Sequence, residues 1–248
     1  MKIFGSVLFT TLLPLLAGLT LTSCGSNEDT MLNATIVTRG GSVNIIKSHS
    51  IPINSPGDDP TETTFIFGEF GQQGLPEDAG NLTINGDSVA KSVDFNGFIT
   101  YNSSLTGQEF PDIKFDGSTH TVAISGNDKI PQASLIVTSP KDFMVTAPAS
   151  GPVFNRASDL AVEWTGGSSS SSDSISISLS PDGTNANAYT VAPLPDNGNY
   201  SIPAAQLEQF GDTVVIIVSK YRRATTTTGG RVFTATSEVR WAYPVLLQ

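Results

Sequence analysis

The stretch DLAVEWT, residues 159–165, has a large apolar side chain at every second position, with small or polar residues between them. Successive side chains of a β-strand point to opposite faces, so an extended chain places Leu160, Val162 and Trp164 together on one face. DSISISLS, residues 173–180, repeats the pattern, with isoleucine or leucine at every second position. Two segments of this kind predict β-strands that pack one face against a hydrophobic core.

Similar short alternations recur along the chain, between clusters of glycine, proline, serine and asparagine. INGD, residues 84–87, predicts a tight turn, because Asn-Gly tolerates positive φ at both central positions. The apolar runs 212–221 and 231–243 predict a long hairpin around RRATTTTGG. SIPAAQLEQFG, residues 201–211, predicts one short helix capped by Ser201. Many short strands separated by turn signals are typical of an all-β protein.

We therefore predict an all-β fold with two β-sandwich domains. The boundary is expected near residues 139–141, within VTSPKDF, which gives domains at 32–138 and 139–248. The chain has one cysteine, so no disulfide can cross-link either domain. Each domain must rely on its own core, which is feasible at about 100 residues.

The amino terminus predicts a secretory signal peptide. Lys2 provides the basic start, an apolar run follows from Ile3 to Leu21, and small residues end it. The run is interrupted by Gly, Thr and Pro. It therefore has few apolar residues for a bilayer span, which needs about 20 predominantly apolar residues.

The end of this segment, LTSC at residues 21–24, resembles the lipobox of bacterial lipoproteins. The resemblance implies removal of residues 1–23 and attachment of diacylglycerol and an N-acyl chain such as palmitate to Cys24. Residues 24–31 would then form a polar tether, and the protein would be anchored to a membrane without spanning it. The alternative is an ordinary signal peptide followed by a chance cysteine, which would have no disulfide partner. Gly25 after the cysteine favours the outer membrane in this family, and leaves open whether the protein faces the periplasm or the cell surface.

The second half of the chain also resembles a known module. Residues 139–167, followed by GNYSIPAAQL at 198–207, are similar to a recurring module of secreted Gram-negative lipoproteins. Such modules resemble immunoglobulin-like or fibronectin-III-like sandwiches, and the likeness implies no catalytic residues. The matching positions are Pro152, Arg156, Asp159, Leu160, Val162, Trp164, Ile202, Pro203 and Ala204. Unlike antibody domains, this segment has no cysteine pair flanking the tryptophan.

The sequence contains few signals of catalytic chemistry. The chain has no Gly-x-Ser-x-Gly elbow, phosphate-binding loop, dinucleotide fingerprint or EF-hand loop. Its two histidines, His49 and His120, are far apart in sequence, so they do not predict a zinc site. A net charge of −10 argues against nucleic acid as a partner. We predict no enzyme activity, no metal and no cofactor other than the covalent lipid.

Two sets of residues are candidates for ligand contact. The final hairpin is rich in basic side chains, which suggests a contact for a polyanion or an acidic partner; its members are Lys220, Arg222, Arg223 and Arg231. The alternative is that these charges only discourage edge-to-edge pairing of strands. Trp241 and Tyr243 share one face of the last strand, and form either a sugar-stacking platform or part of the core.

These features predict a lipid-anchored lipoprotein of the cell envelope with a non-catalytic binding or scaffolding role. Its partners would be the membrane, through the anchor, and a protein or polysaccharide of the envelope. The first alternative is a carbohydrate-binding or adhesion module at the cell surface. The second is a hydrolase whose carboxylate pair comes from distant positions.

Overall fold

A computed structural model describes residues 38–72, 75–167, 172–181 and 189–248. These residues belong to one compact unit, Thr35–Gln248. Strands account for 57% of the described residues and helices for 4%, which confirms the predicted all-β class. The predicted signal peptide, Cys24 and the rest of the predicted tether, residues 1–31 together, lie outside the described residues.

The seventeen strands follow one another with little helix between them. In chain order they are β1 (Thr38–Ser50), β2 (Thr61–Gln72), β3 (Leu75–Pro76), β4 (Leu82–Ile84), β5 (Asp87–Ser88), β6 (Lys91–Val93), β7 (Ile99–Asn102), β8 (Thr119–Ile124), β9 (Ala133–Thr138), β10 (Val145–Ala147), β11 (Val153–Phe154), β12 (Leu160–Trp164), β13 (Ser174–Ser180), β14 (Tyr189–Pro195), β15 (Asn199–Ile202), β16 (Thr213–Thr228) and β17 (Arg231–Leu247). A 3₁₀ turn, Ser103–Leu105, follows β7, and a short helix α1, Ala204–Leu207, follows β15.

The strands form three sheets. The largest, called here the central sheet, has the order β14-β13-β16-β17-β1-β2-β7-β6, with β11 added to β17 and β3 added to β2. A second sheet has the order β10-β12-β15, and a third has the order β5-β4-β8-β9. All neighbours in these sheets are antiparallel except that β1 and β11 each run parallel to β17.

The alternating segments fold as their patterns predict. Leu160, Val162 and Trp164 of β12 are buried, while the residues between them are exposed. In β13 the isoleucines and the leucine are fully buried. The INGD turn is also confirmed, since Asn85 and Gly86 both have positive φ, at 53° and 97°.

The predicted final hairpin forms, but it is longer than its apolar runs. β16 continues through the threonine run to Thr228, and the turn consists of Gly229 and Gly230, both with positive φ. Threonine is β-branched and fits a half-buried strand, so the run extends the strand instead of forming a loop.

The predicted helix is shorter than its segment, and its proposed cap is wrong. Ser201 lies in β15, where it pairs with Ala161 of β12. The strand pairing continues to Ile202, so the helix starts only at Ala204. The side chain that accepts a hydrogen bond at this helix start belongs to Asp159, whose Oδ1 is 2.9 Å from the Ala204 amide.

The two predicted segments, 32–138 and 139–248, share the central sheet. β1 of the first segment pairs along its length with β17 of the second. β9 of the first segment also packs against β16 and β17 of the second. The described part of the chain therefore has a continuous core across the boundary near residues 139–141.

Among the described residues, no helix has the length and apolar character needed to cross a bilayer.

Candidate functional site

The structure disperses the predicted basic cluster of the final hairpin. Lys220 is 2% exposed and pairs with Asp196, so it cannot contact a partner. Arg222 is ion-paired with Asp173, and Arg231 with Glu77. Of the four predicted residues, only Arg223 is exposed and lacks a carboxylate partner among the described residues. The cause is strand alternation, because Lys220 and Arg222 share the core face of β16 and Arg223 points to the other face.

The two aromatic residues of β17 do not form an exposed platform. Tyr243 is buried in the core, and burial raises the pKa of its hydroxyl. Trp241 is half-buried and stacks on His49, with ring centroids 4.5 Å apart and an interplanar angle of 16°. Its Nε1 donates a hydrogen bond to the Phe143 carbonyl at 2.8 Å. Both side chains therefore serve packing.

A cluster near the boundary between the segments has the composition of a metal site. His49, Glu62 and Asp142 have potential ligand atoms within 4.8 Å of one another. However, Lys47 Nζ lies between the carboxylates, 2.7 Å from Asp142 Oδ2 and 3.1 Å from Glu62 Oε2. Its ammonium already occupies the space between them and offsets one of their two negative charges, so we interpret the cluster as an ionic clamp that joins β1 to the start of the second segment.

The ionisation of the clamp fits this interpretation. Burial alone would lower the pKa of Lys47, but its hydrogen bonds to Asp142 and Glu62 dominate and raise the pKa. Burial alone would raise the pKa of Asp142, but the Lys47 ammonium dominates and lowers it. Because the pKa of Asp142 is lowered, its stabilising effect is present at neutral pH and is lost as the pH falls through the folded-state pKa, below 3.8.

One face of the central sheet is open and polar. The core-facing side chains of β13, β17 and β1 are mainly apolar, whereas the alternate positions are mainly serine, threonine, asparagine, arginine or glutamate. Two adjoining depressions lie on this face, with volumes of about 340 and 480 Å³. They share Asn44, Arg223 and Thr236, and together they form what we call the sheet groove.

The first depression lies over β14, β13, β16, β17 and β1. Its lining consists of Asn44, Ser176, Ser178, Thr190, Ala192, Ile217, Ser219, Tyr221, Arg223, Thr236, Glu238 and Arg240. The second depression continues along β1 and β17. Its lining consists of Arg39, Gly41, Ser42, Asn44, Arg223, Val232, Thr234 and Thr236.

The floor of the groove is formed by polar side chains with little exposure. Ser178, Ser219 and Thr236 are 7%, 5% and 8% exposed. Ser178 is 3.0 Å from the Thr190 hydroxyl. Within the described ranges, the side chains of Asn44, Ser219 and Thr236 form no hydrogen bond with the protein. Asn44 is half-buried, and none of these three side chains has a fully buried polar atom without a partner, so their amide and hydroxyl groups reach the groove and are available to a polar ligand.

The charged residues of the groove differ in their pairing. Arg240 Nε donates to Glu238 Oε1 at 2.8 Å, so these two charges balance. Arg39 donates only to the Ser42 hydroxyl, at 3.1 Å. The Arg223 guanidinium lies 5.9 Å from the centre of the Tyr221 ring.

A β-bulge explains why Arg39 faces the groove. The register of β1 with β17 shifts between Arg39 and Gly41, so Gly40 has no partner and Arg39 pairs with Val232. Without the extra residue, alternation would place Arg39 on the core face. Gly40 must be glycine, because a Cβ there would lie 2.7 Å from the Phe233 ring.

Sequence reasoning missed this groove. One signal was present, since the serines of DSISISLS and the polar positions of β17 alternate with core residues. The parallel pairing of β1 with β17 and the bulge at Gly40 have no comparable signal in the sequence.

Comparison of the chain with protein-family models, curated proteins and solved structures gave no match.

Proposed function

We propose that the protein is a non-catalytic carbohydrate-binding lipoprotein of the cell envelope, and that the sheet groove is its binding site. The observation that supports this best is the set of unpartnered polar side chains on the groove floor, Asn44, Ser219 and Thr236. Sugar hydroxyls both donate and accept hydrogen bonds, and so do amide and hydroxyl side chains. Tyr221 adds an aromatic ring on which a sugar could stack.

The charges of the groove favour binding over hydrolysis. Glycoside hydrolysis normally requires two carboxyl groups that flank the bond to be cleaved. The lining described above includes one carboxylate, Glu238, which is held by Arg240. A distributed carboxylate pair therefore finds no support in this groove.

We further propose that the described chain forms two fused sandwiches, one around each segment, and that the distal half of the β16–β17 hairpin completes the first of them. In the second segment, β10-β12-β15 faces the β14-β13-β16-β17 part of the central sheet, an arrangement similar to an immunoglobulin-like or fibronectin-III-like sandwich. In the first segment, β5-β4-β8-β9 faces the β1-β2-β7-β6 part. The parallel β1–β17 pair joins the two halves.

The membrane anchor is a separate part of the proposal, and it is supported by the LTSC motif alone. We propose that Cys24 carries the lipid and that the protein resides at the outer membrane. Wild-type protein should sediment with the membrane fraction and move into the detergent phase of a Triton X-114 extraction. The Cys24→Ala variant should remain in the aqueous phase. Membrane association of that variant would refute the lipid anchor and leave the groove proposal intact.

The binding proposal is tested by native affinity electrophoresis of the full chain in gels that contain dextran, polygalacturonate or dextran sulfate. At least one polymer should retard the wild-type protein. The Asn44→Ala/Thr236→Ala double variant should lose at least about fivefold in affinity, because each lost hydrogen bond contributes about 0.5–1.5 kcal/mol.

Thr121→Ala is the matched control, since Thr121 is an exposed strand residue of β8 outside the groove. This variant should bind like the wild-type protein. The absence of retardation by all three polymers would contradict the proposed function.

A further inference from the structure

Two arginines of the groove differ from all other arginines of the described chain. Four of the six arginines form an ion pair with a carboxylate: Arg156 with Asp212, Arg222 with Asp173, Arg231 with Glu77, and Arg240 with Glu238. Arg39 and Arg223 are exposed, and neither has a carboxylate partner within the described ranges. Both of these line the second depression of the groove.

The surroundings of these two arginines are positive. No carboxylate lines the second depression; its other polar side chains are Ser42, Asn44, Thr234 and Thr236. On the Arg39 side, the nearest carboxylate by strand pairing is the exposed Glu69, which lies opposite Ser42 on β2. On the Arg223 side, the nearest carboxylate is Glu238, two residues from the partner Thr236. Glu238 lies in the first depression and is neutralised by Arg240. A chain with a net charge of −10 therefore has a local positive site in its polar groove.

The separation of the two arginines on the sheet favours a polymer. Arg39 pairs with Val232 of β17, and Arg223 pairs with Thr236 of the same strand. The two arginines are thus four residues apart along the strand direction and lie on opposite sides of β17. At about 3.3 Å per residue and 4.8 Å per strand, their Cα atoms are roughly 16 Å apart. That distance suits separate charged groups along one chain better than a single small anion.

We propose that the second depression recognises the carboxylate or sulfate groups of an acidic polysaccharide, with Arg39 and Arg223 as the binding side chains. The planar guanidinium donates two parallel hydrogen bonds to a carboxylate, and a sulfate ester offers similar oxygen acceptors. The neutral hydrogen-bonding groups of the groove would hold the sugar rings between the two charges. This inference rests on the proposed carbohydrate-binding function and specifies its ligand class.

The test compares three polymers on the full chain: polygalacturonate for carboxylates, dextran sulfate for sulfates, and neutral dextran. Wild-type protein should bind one acidic polymer at least tenfold more tightly than dextran, and added salt should weaken that binding. The Arg39→Gln/Arg223→Gln double variant should lose at least tenfold in affinity for the acidic polymer. Glu69→Gln should bind it about twofold more tightly, because a neighbouring negative charge is removed.

Lys129→Gln/Lys141→Gln is the matched control. It changes the net charge by the same amount, and both lysines are exposed, have no salt bridge and lie outside the groove. This control should change affinity less than twofold. All variants are first checked for an unchanged melting temperature.

The outcomes separate the two proposals. Equal binding of dextran and the acidic polymers, or an acidic affinity that the arginine variant retains, would overturn the acidic-ligand inference and leave carbohydrate binding in place. An equal loss of affinity in the arginine double variant and the lysine double variant would show a general charge effect and would also overturn the acidic-ligand inference. Failure of all three polymers to bind would reject the proposed function and this inference together.

Discussion

Residues 38–138, produced without the rest of the chain, are expected not to fold. In the whole protein, β9 of this segment packs its buried Ala133, Leu135 and Val137 toward β16 and β17, which belong to the second segment. The isolated segment would expose these side chains to water. Burial of a leucine or valine side chain contributes about 1.5–3 kcal/mol, so the loss of these two alone is comparable to the lower end of the roughly 5–15 kcal/mol that stabilises a whole domain.

Contacts at the hairpin end support the same expectation. Arg231 is ion-paired with Glu77 of the first segment at 3.0 Å. The turn at Gly229 lies against Pro131. A Cβ atom added to this glycine would be 3.0 Å from the proline ring. β1 would in addition lose its pairing with β17 and become an edge strand. The distal half of the β16–β17 hairpin is therefore part of the first sandwich in space, although it belongs to the second in sequence.

Circular dichroism and urea unfolding test this dependence. The fragment 38–138 should show no cooperative transition, and the chain from residue 38 to 248 should show one. Addition of the separately produced fragment 139–248 should restore strand structure to the first fragment, with a dependence on concentration. A cooperative transition of 38–138 alone, near the midpoint of the longer chain, would show that the first segment folds independently.

The sequence did not predict this dependence of the first segment on the second. Alternation located β12 and β13 because periodicity reports which side chains face a core. It could not identify the pairing of β1 with β17, because strands far apart in sequence meet only through the packing of the whole chain. The boundary near residues 139–141 does separate β9 from β10, yet it does not separate the sheets.

The candidate site, too, could be predicted from the sequence only in part. The prediction grouped Lys220, Arg222 and Arg223 because they are neighbours in sequence. The alternation of β16 already places Lys220 and Arg222 with Val218 on the core face, and Arg223 on the other, so this part was available from the sequence. The position of Arg39 could not be predicted from the sequence, because it depends on the bulge at Gly40.

The Asp196→Ala variant is expected to lose about 3–5 kcal/mol of unfolding free energy, the usual result of removing one member of a buried ion pair. Asp196 Oδ2 lies 3.1 Å from Lys220 Nζ, and both side chains are almost fully buried. Oδ2 accepts no hydrogen bond from the described residues, so its contact with Lys220 is ionic. The other oxygen, Oδ1, accepts a hydrogen bond from Trp164 Nε1 at 2.7 Å.

The variant would leave two buried groups without a partner. Among the described residues, the Lys220 ammonium would retain only the Phe143 ring, whose centre is 4.9 Å from Nζ. The Trp164 N–H would lose its acceptor, which costs about 1–3 kcal/mol for a buried donor. Urea unfolding monitored by tryptophan fluorescence measures the change. Asp212→Ala is the control, because it breaks the ion pair with Arg156 at a carboxylate that is 97% exposed, and it should change the midpoint little.

The Asp196→Asn/Lys220→Met double variant distinguishes an ion pair from simple packing. An amide oxygen can still accept from Trp164 Nε1, and methionine fills most of the space of the lysine stem without a charge. Replacement of both charges is often neutral, so the double variant should be much more stable than either single change. A strong favourable coupling between the two positions would establish that the charges compensate each other within the core. If the two losses instead add, the cost comes from the shape of each side chain, and the ion pair has no stabilising role.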